Sequence, residues 1–144
     1  MDMVARLQER FQQYFETARD VRRKAPVFAG LFGLGSDPKK HPCHEEFLKD
    51  VGDLVAEFAA TQPQEYQVVS VMKWLLEIAG EYEHDDVVWY LYALQGHVKP
   101  LIPLLTEEMA QRLADWYNTL YPRRKRLPLQ DDIYRLLTKR GKGK

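Results

Sequence analysis

Apolar side chains recur at three- and four-residue spacing along most of the chain, with charged and amide side chains between them. This spacing places the apolar groups on one face of an α-helix. It predicts helices over residues 3–24, 43–61 and 64–80, and Pro26 and Pro63 are expected to end the first two. The stripe of the first helix consists of Val4, Leu7, Phe11, Tyr14, Phe15, Ala18 and Val21.

Residues 87–94 differ because every position in VVWYLYAL is apolar or aromatic. Such a run also suits a β-strand, but the sequence offers no second convincing strand to pair with it. Asp85 and Asp86 suit the start of a helix, and Gly96 suits its end. We therefore predict a fourth helix that is buried on every side at the centre of the fold, with the first helix packed across it.

The last third of the chain predicts two further helices. Thr106 is expected to cap a helix that runs to Pro122, because two glutamates follow it in the first turn and oppose the helix dipole favourably. A shorter helix follows Pro128, and the terminal residues 141–144 are expected to be disordered. The sequence thus predicts an all-α fold, a compact bundle of five to six helices in a single domain over residues 1–140.

The chain has 144 residues, of which 45% are hydrophobic and 29% charged. This size and balance allow a core that folds without a disulfide or a structural metal. Cys43 is the single cysteine, which excludes an internal disulfide. The sequence contains no long apolar run and no apolar block near its start, so we expect a cytoplasmic protein that does not enter a membrane.

Charge is segregated along the chain although the formal net charge is zero. Residues 1–40 carry a net charge of +3, residues 41–121 carry −10 and residues 122–144 carry +7. The acidic helices of the middle segment therefore suit a basic partner.

All four histidines and the cysteine lie in the middle segment. Imidazole, thiolate and carboxylate groups are zinc ligands, and two helix ends that meet would bring them together. The spacing matches neither a zinc finger nor an HExxH or paired CxxC motif, and a hydrogen-bonded structural histidine and a bystander thiol are the simpler interpretations. A metal-binding protein or metalloenzyme is therefore an alternative hypothesis, with zinc as the possible cofactor. Its candidate ligands are His41, Cys43, His44, His84 and Asp85.

A basic run near the end of the chain is a second candidate site, because lysine and arginine neutralise phosphates. It would make the protein an anion or nucleic-acid binder, although such a run between helices is ordinarily solvated and no nucleic-acid motif accompanies it. The run consists of Arg123, Arg124, Lys125 and Arg126.

The segment from 25 to 42 contains three glycines and three prolines and is predicted to be a loop. It lacks the GK[ST] ending of a phosphate-binding loop. Its apolar side chains must either pack on the core or bind a partner, and the candidates for partner binding are Phe28, Leu31 and Phe32.

The sequence contains no recognised catalytic motif, and this favours a non-enzymatic protein. The preferred hypothesis is a helical protein–protein interaction module, of an adaptor, regulatory or inhibitor type, with no required cofactor and an unidentified protein partner.

Overall fold

The computed structural model describes residues 2–32 and 41–143, with the side chains of residues 25–32 outside the description. Within these ranges the chain forms six α-helices and no strand, packed around one core, and the predicted all-α fold is confirmed. None of these helices is long and apolar enough to cross a membrane. The helices are Met3–Phe32 (α1), Pro42–Ala60 (α2), Glu65–Glu77 (α3), Val88–Leu94 (α4), Glu107–Leu120 (α5) and Pro128–Gly141 (α6), and 3₁₀ segments cover Ile78–Tyr82, Gln95–Leu104 and Arg123–Lys125.

Local capping explains where several helices begin. The hydroxyl of Thr106 accepts a hydrogen bond from the Met109 amide at 3.2 Å, which confirms the predicted cap of α5. Pro42 and Pro128 occupy the first turns of α2 and α6, where a missing N–H leaves no helical hydrogen bond unmade. Each boundary is thus fixed by residues within one turn of it.

The first helix does not end at Pro26 as predicted but continues to Phe32. A proline removes one main-chain donor, yet its φ angle is compatible with a helix, so the prediction that Pro26 terminates α1 was wrong. Phe28 and Leu31 therefore lie in the last turns of α1 rather than in a loop. The side chains of Phe28, Leu31 and Phe32 are outside the described residues, and their role in partner binding stays a prediction.

The fourth helix is buried on one side only, and not on every side as predicted. Val88, Leu91 and Leu94 face the core, whereas Trp89 is 65% exposed. A helix turns by about 100° per residue, so a helix at the edge of a bundle buries one stripe and leaves the opposite side in solvent, whatever its composition. The prediction that Trp89 is a core residue was therefore wrong.

The centre of the bundle is the 3₁₀ segment Gln95–Leu104, which packs against α2, α3 and α6. Helix α4 ends at Leu94, close to the predicted end at Gly96, but the chain stays in the core beyond it, and Val98 and Leu101 are fully buried. Gln95 anchors the segment through the buried hydroxyl of Tyr117, which donates to its side-chain oxygen at 2.8 Å. Helix α1 packs on α2 and α3 instead of crossing α4.

Candidate functional site

The five predicted metal ligands do not converge. Among the residues that the structure describes, no three His, Cys, Asp or Glu side chains are grouped so that they could hold a metal ion. Asp85 forms an ion pair with Arg22, with 3.1 Å between Oδ1 and Nη1, and accepts a hydrogen bond from the Val87 amide. His84 is exposed. Asp85 is therefore held by α1 and by the start of α4, whereas His84 faces solvent.

The residues at the start of α2 have structural partners. His41 caps α2, since its Nδ1 accepts a hydrogen bond from the Cys43 amide at 3.1 Å. His44 is buried, with its Nδ1 2.7 Å from the Tyr14 hydroxyl and its ring stacked on Tyr90 at 4.2 Å. This is the hydrogen-bonded structural histidine that the sequence suggests as the simpler interpretation.

The thiol of Cys43 is not activated. Its side chain is buried, and this burial, reinforced by the neighbouring carboxylate of Glu46, raises the thiol pKa. A nucleophilic cysteine needs the opposite environment, which stabilises the thiolate. The geometry therefore gives no support to nucleophilic chemistry at Cys43.

The basic run is divided between solvent and interior. Arg123, Arg124 and Lys125 are exposed. The side chain of Arg126 is only 5% exposed, and its guanidinium donates to Asp131 at 3.1 Å and lies 4.1 Å from the ring centre of Tyr134. The expectation that all four cations are solvated was wrong for Arg126, because its planar guanidinium donates to three acceptors of the fold.

A shallow groove of about 720 Å³ borders this run. It also contains Asp131, whose carboxylate pairs with both Arg126 and Arg135. Two of the three arginines that line the groove are thus ion-paired, but the single carboxylate offsets only one of their charges. An anion would meet the exposed cations on the surface rather than an enclosed site.

The described surface also carries a long groove between α1 and α3, which consists of two adjoining openings. The first has a volume of about 680 Å³ and the second about 480 Å³. Val4, Gln8 and Ser70 line both openings and so join them into one channel, named here the α1–α3 groove. The remaining lining includes Met3, Phe58, Tyr66 and Val71 in the first opening and Phe11, Trp74, Glu77, Ile78, Glu81 and Tyr82 in the second.

Aromatic rings form the floor of the second opening. Phe11 is edge-on to Tyr82 with 5.1 Å between ring centres, and edge-on to Trp74 at 6.3 Å. Phe11 is buried, whereas Trp74 and Tyr82 are only partly covered. Partly covered rings in a concave surface leave apolar area for a ligand to bury.

The walls of the groove carry an excess of negative charge at one end. Glu77 and Glu81 are exposed, and no ion pair between described residues involves either of them. Lys73 also lines this opening, and its Nζ lies over the ring of Trp116, 5.4 Å from the ring centre. With two carboxylates and one ammonium group, the end near Tyr82 is acidic.

The sequence alone did not predict this groove. Its floor combines side chains from α1, α3 and the 3₁₀ segment Ile78–Tyr82, and only the packing of the folded chain brings them together. One signal was present: Tyr66 and Trp74 stand outside the apolar stripe of the third helix. An aromatic residue on the polar side of an amphipathic helix indicates a surface available for contact.

Comparison with known proteins found no family model, no curated protein and no solved structure that matches this chain. The geometry and charge of the α1–α3 groove are therefore the basis for the proposed function.

Proposed function

We propose that this protein is a non-enzymatic interaction module that binds an amphipathic α-helix of a protein partner in the α1–α3 groove. The observation that carries the proposal is the continuity of the two openings through Val4, Gln8 and Ser70. Recognition of an amphipathic helix requires an elongated groove with an apolar floor, since one face of the ligand carries its apolar anchors.

The dimensions of the groove suit a helix. Its lining extends along α3 and the following 3₁₀ segment from Tyr66 to Tyr82. At the α-helical rise of about 1.5 Å per residue this separation is roughly 24 Å, the length of a helix of about 16 residues. A small-molecule substrate would occupy only a fraction of it, which favours a peptide ligand.

The charge of the groove defines the polarity of the partner. Glu77 and Glu81 at the Tyr82 end would be partly desolvated by a bound helix, so lysine or arginine in the partner must lie opposite them to offset that cost. At the other end Glu57 already lies 4.0 Å from Arg6. The expected ligand thus carries apolar residues at i, i+3, i+4 and i+7 and basic residues near one end.

A display library of 16-residue peptides tests this proposal. Peptides are selected on the wild-type chain, and their affinities are measured for two variants, Gln8→Arg and Gln13→Arg. Both glutamines are exposed on α1, but only Gln8 lines the groove. We expect Gln8→Arg to weaken binding at least about tenfold by blocking the channel and repelling a basic ligand, and Gln13→Arg to leave it unchanged.

Three outcomes would contradict the proposal: no enrichment of peptides, enrichment of acidic sequences, or equal affinity for both variants. Circular dichroism of the two variants confirms that the fold is intact, since exposed substitutions of this kind change stability by about 0.5 kcal/mol or less.

A second candidate function is the binding of a phosphate-bearing ligand by Arg123, Arg124 and Lys125. The exposure of all three side chains favours it, and no ion pair between described residues involves them. We rank it second because the neighbouring groove is shallow and the guanidinium groups of Arg126 and Arg135 are already paired with Asp131.

A further inference from the structure

The second opening of the α1–α3 groove combines aromatic rings with carboxylates. The ring planes of Trp74 and Tyr82 are inclined at 73° and 63° to that of Phe11. These rings line one cavity of about 480 Å³ together with Glu77 and Glu81. Trp74 and Tyr82 are partly covered, and both glutamates are exposed. Accessible ring surface and negative charge therefore border the same cavity.

Most of these groups come from one short stretch of the chain. Trp74 and Glu77 are three residues apart at the end of α3, and such residues lie next to each other on a helix. Glu81 and Tyr82 follow in the 3₁₀ segment. Burial raises the pKa of the Tyr82 hydroxyl, and the carboxylates of Glu81 and Asp85 raise it further. The potential at this end of the opening is accordingly negative.

Helix α6 already holds an arginine between an aromatic ring and a carboxylate. The guanidinium of Arg126 lies 4.1 Å from the ring centre of Tyr134 and donates to Asp131 at 3.1 Å. Asp131 and Tyr134 are three residues apart on one helix, the same separation as Trp74 and Glu77. A ring and a carboxylate at this spacing can therefore bind a guanidinium together.

The described cations of the chain do not fill the second opening. None of them lies over the ring of Trp74 or Tyr82, and neither carboxylate of the opening belongs to an ion pair between described residues. Lys73 lines the opening, but its Nζ lies over the ring of Trp116 on α5. Both rings and both carboxylates can therefore contact a cation of a bound partner.

We propose that the second opening is an arginine-selective subsite, in which one guanidinium of the bound partner lies over the Trp74 ring and donates to Glu77 and Glu81. The subsite rests on the proposed function, because the arginine belongs to the helix that the groove binds. The charge of the groove alone would accept lysine and arginine alike, whereas the aromatic rings distinguish between them.

The two cations differ in shape and hydration. A guanidinium is planar and weakly hydrated, so it can lie flat on an indole ring while its N–H groups donate to carboxylates at the rim. The ammonium group of lysine is compact and strongly hydrated, and it loses more solvation against an apolar surface. Trimethylated lysine is also attracted by aromatic rings, but it has no N–H to donate to a carboxylate. Arginine therefore suits the rings and the carboxylates together.

Fluorine NMR of the chain labelled with 5-fluorotryptophan tests the subsite without a selected peptide. Trp74 reports on the second opening, and the exposed Trp89 reports on nonspecific contact between a cation and an indole ring. Single Trp→Phe variants assign the signals. The probes are the blocked tripeptides Gly-Arg-Gly, Gly-Lys-Gly and Gly-citrulline-Gly at constant ionic strength, since citrulline has the planar shape of arginine without its charge.

We expect the arginine tripeptide to shift the Trp74 signal saturably and to bind about three- to fivefold more tightly than the lysine tripeptide, whereas citrulline leaves the signal in place. Glu77→Gln and Glu81→Gln should each weaken binding of the arginine tripeptide about two- to fivefold. The matched control, Glu83→Gln, removes an exposed carboxylate outside the opening and should leave the affinity unchanged.

Peptides selected on the groove provide a second measurement. Replacing the arginine near the basic end of such a peptide with lysine should weaken its binding to the wild-type chain about three- to fivefold. The same replacement should matter less for the Trp74→Leu variant, which lacks the ring that distinguishes the two cations. Circular dichroism shows whether each variant retains the fold.

The arginine subsite is overturned if the lysine or citrulline tripeptide binds as tightly as the arginine tripeptide, if Trp89 shifts as much as Trp74, or if Trp74 does not shift. Selected peptides that tolerate lysine in place of arginine also overturn the subsite, but they leave the groove in place. Absence of enriched peptides together with a saturable Trp74 shift contradicts the groove and supports the subsite. The two failures are thus read from separate measurements.

Discussion

Helix α4 and the basic run at 123–126 are each uniform in chemistry along the sequence, and the fold divides both of them. In α4 every side chain is apolar or aromatic, yet Trp89 is 65% exposed while Leu91 is fully buried. In the basic run every side chain is cationic, yet Arg126 has only 5% of its side chain exposed. Composition therefore predicts the average environment of a segment and not that of each residue.

The physical cause differs between the two regions. In α4 the rotation of the helix determines which side chains are buried, because only one stripe of a short helix can face the core. In the basic run the available hydrogen-bond acceptors determine which side chain is buried, because Arg126 is the residue placed beside a carboxylate, an amide oxygen and a main-chain carbonyl. Its guanidinium donates to Asp131 at 3.1 Å, to Asn118 at 2.8 Å and to the Tyr121 carbonyl at 3.1 Å.

The largest expected effect separates the two sides of α4. Leu91→Ala removes a buried side chain and should lower the free energy of unfolding by about 2–5 kcal/mol. Trp89→Ala should lower it by less than about 1 kcal/mol, since most of that side chain is already in solvent. Urea denaturation of both variants measures the difference. Equal destabilisation would mean that Trp89 belongs to the core after all.

The next effect separates the two sides of the basic run. Arg126→Ala removes a side chain that is only 5% exposed together with its hydrogen bonds to Asp131, Asn118 and the Tyr121 carbonyl. It should cost about 1.5–3 kcal/mol of unfolding free energy, the range for hydrogen bonds to charged groups. Arg124→Ala removes an equally cationic but exposed side chain and should change stability by about 0.5 kcal/mol or less. Thermal and urea unfolding of the matched pair test this contrast, and similar values for both variants would contradict it.

The smallest expected effect on the fold comes from replacing Arg123, Arg124 and Lys125 together with glutamine. Their exposure predicts an unchanged melting temperature within about 1–2 °C. If phosphate-bearing ligands bind there, the affinity for an oligonucleotide should fall and its salt dependence should flatten. Fluorescence anisotropy at several salt concentrations measures both. Absence of salt-dependent binding by the wild-type chain would eliminate the second candidate function.

The sequence predicted the helices better than it predicted their surroundings. The apolar spacing located α2, α3 and α5 to within a few residues, because helical periodicity and capping are local properties. It ended α1 at Pro26, whereas the helix extends to Phe32. It also predicted no helix between residue 94 and Thr106, whereas this stretch contains the 3₁₀ segment Gln95–Leu104.

Candidate sites were harder to predict, because each requires several elements to meet. Two helix ends that meet were expected to form a ligand cluster from His41 to Asp85. Instead His41 caps α2, the His44 ring bonds to a tyrosine, and Asp85 pairs with an arginine. The α1–α3 groove joins Phe11 to Trp74 and Tyr82, positions that no spacing rule relates. The acidic character of the middle segment was readable from the sequence, and it carries over to the Tyr82 end of the α1–α3 groove.

The sequence by itself determined that this chain is a helical bundle with an acidic middle segment, because periodicity, caps and charge are properties of neighbouring residues. Only the tertiary structure decided which member of a uniform run faces solvent, which histidine is buried and where a groove remains open. Those outcomes depend on helices that are distant in sequence and on the contacts that each side chain finds when they pack.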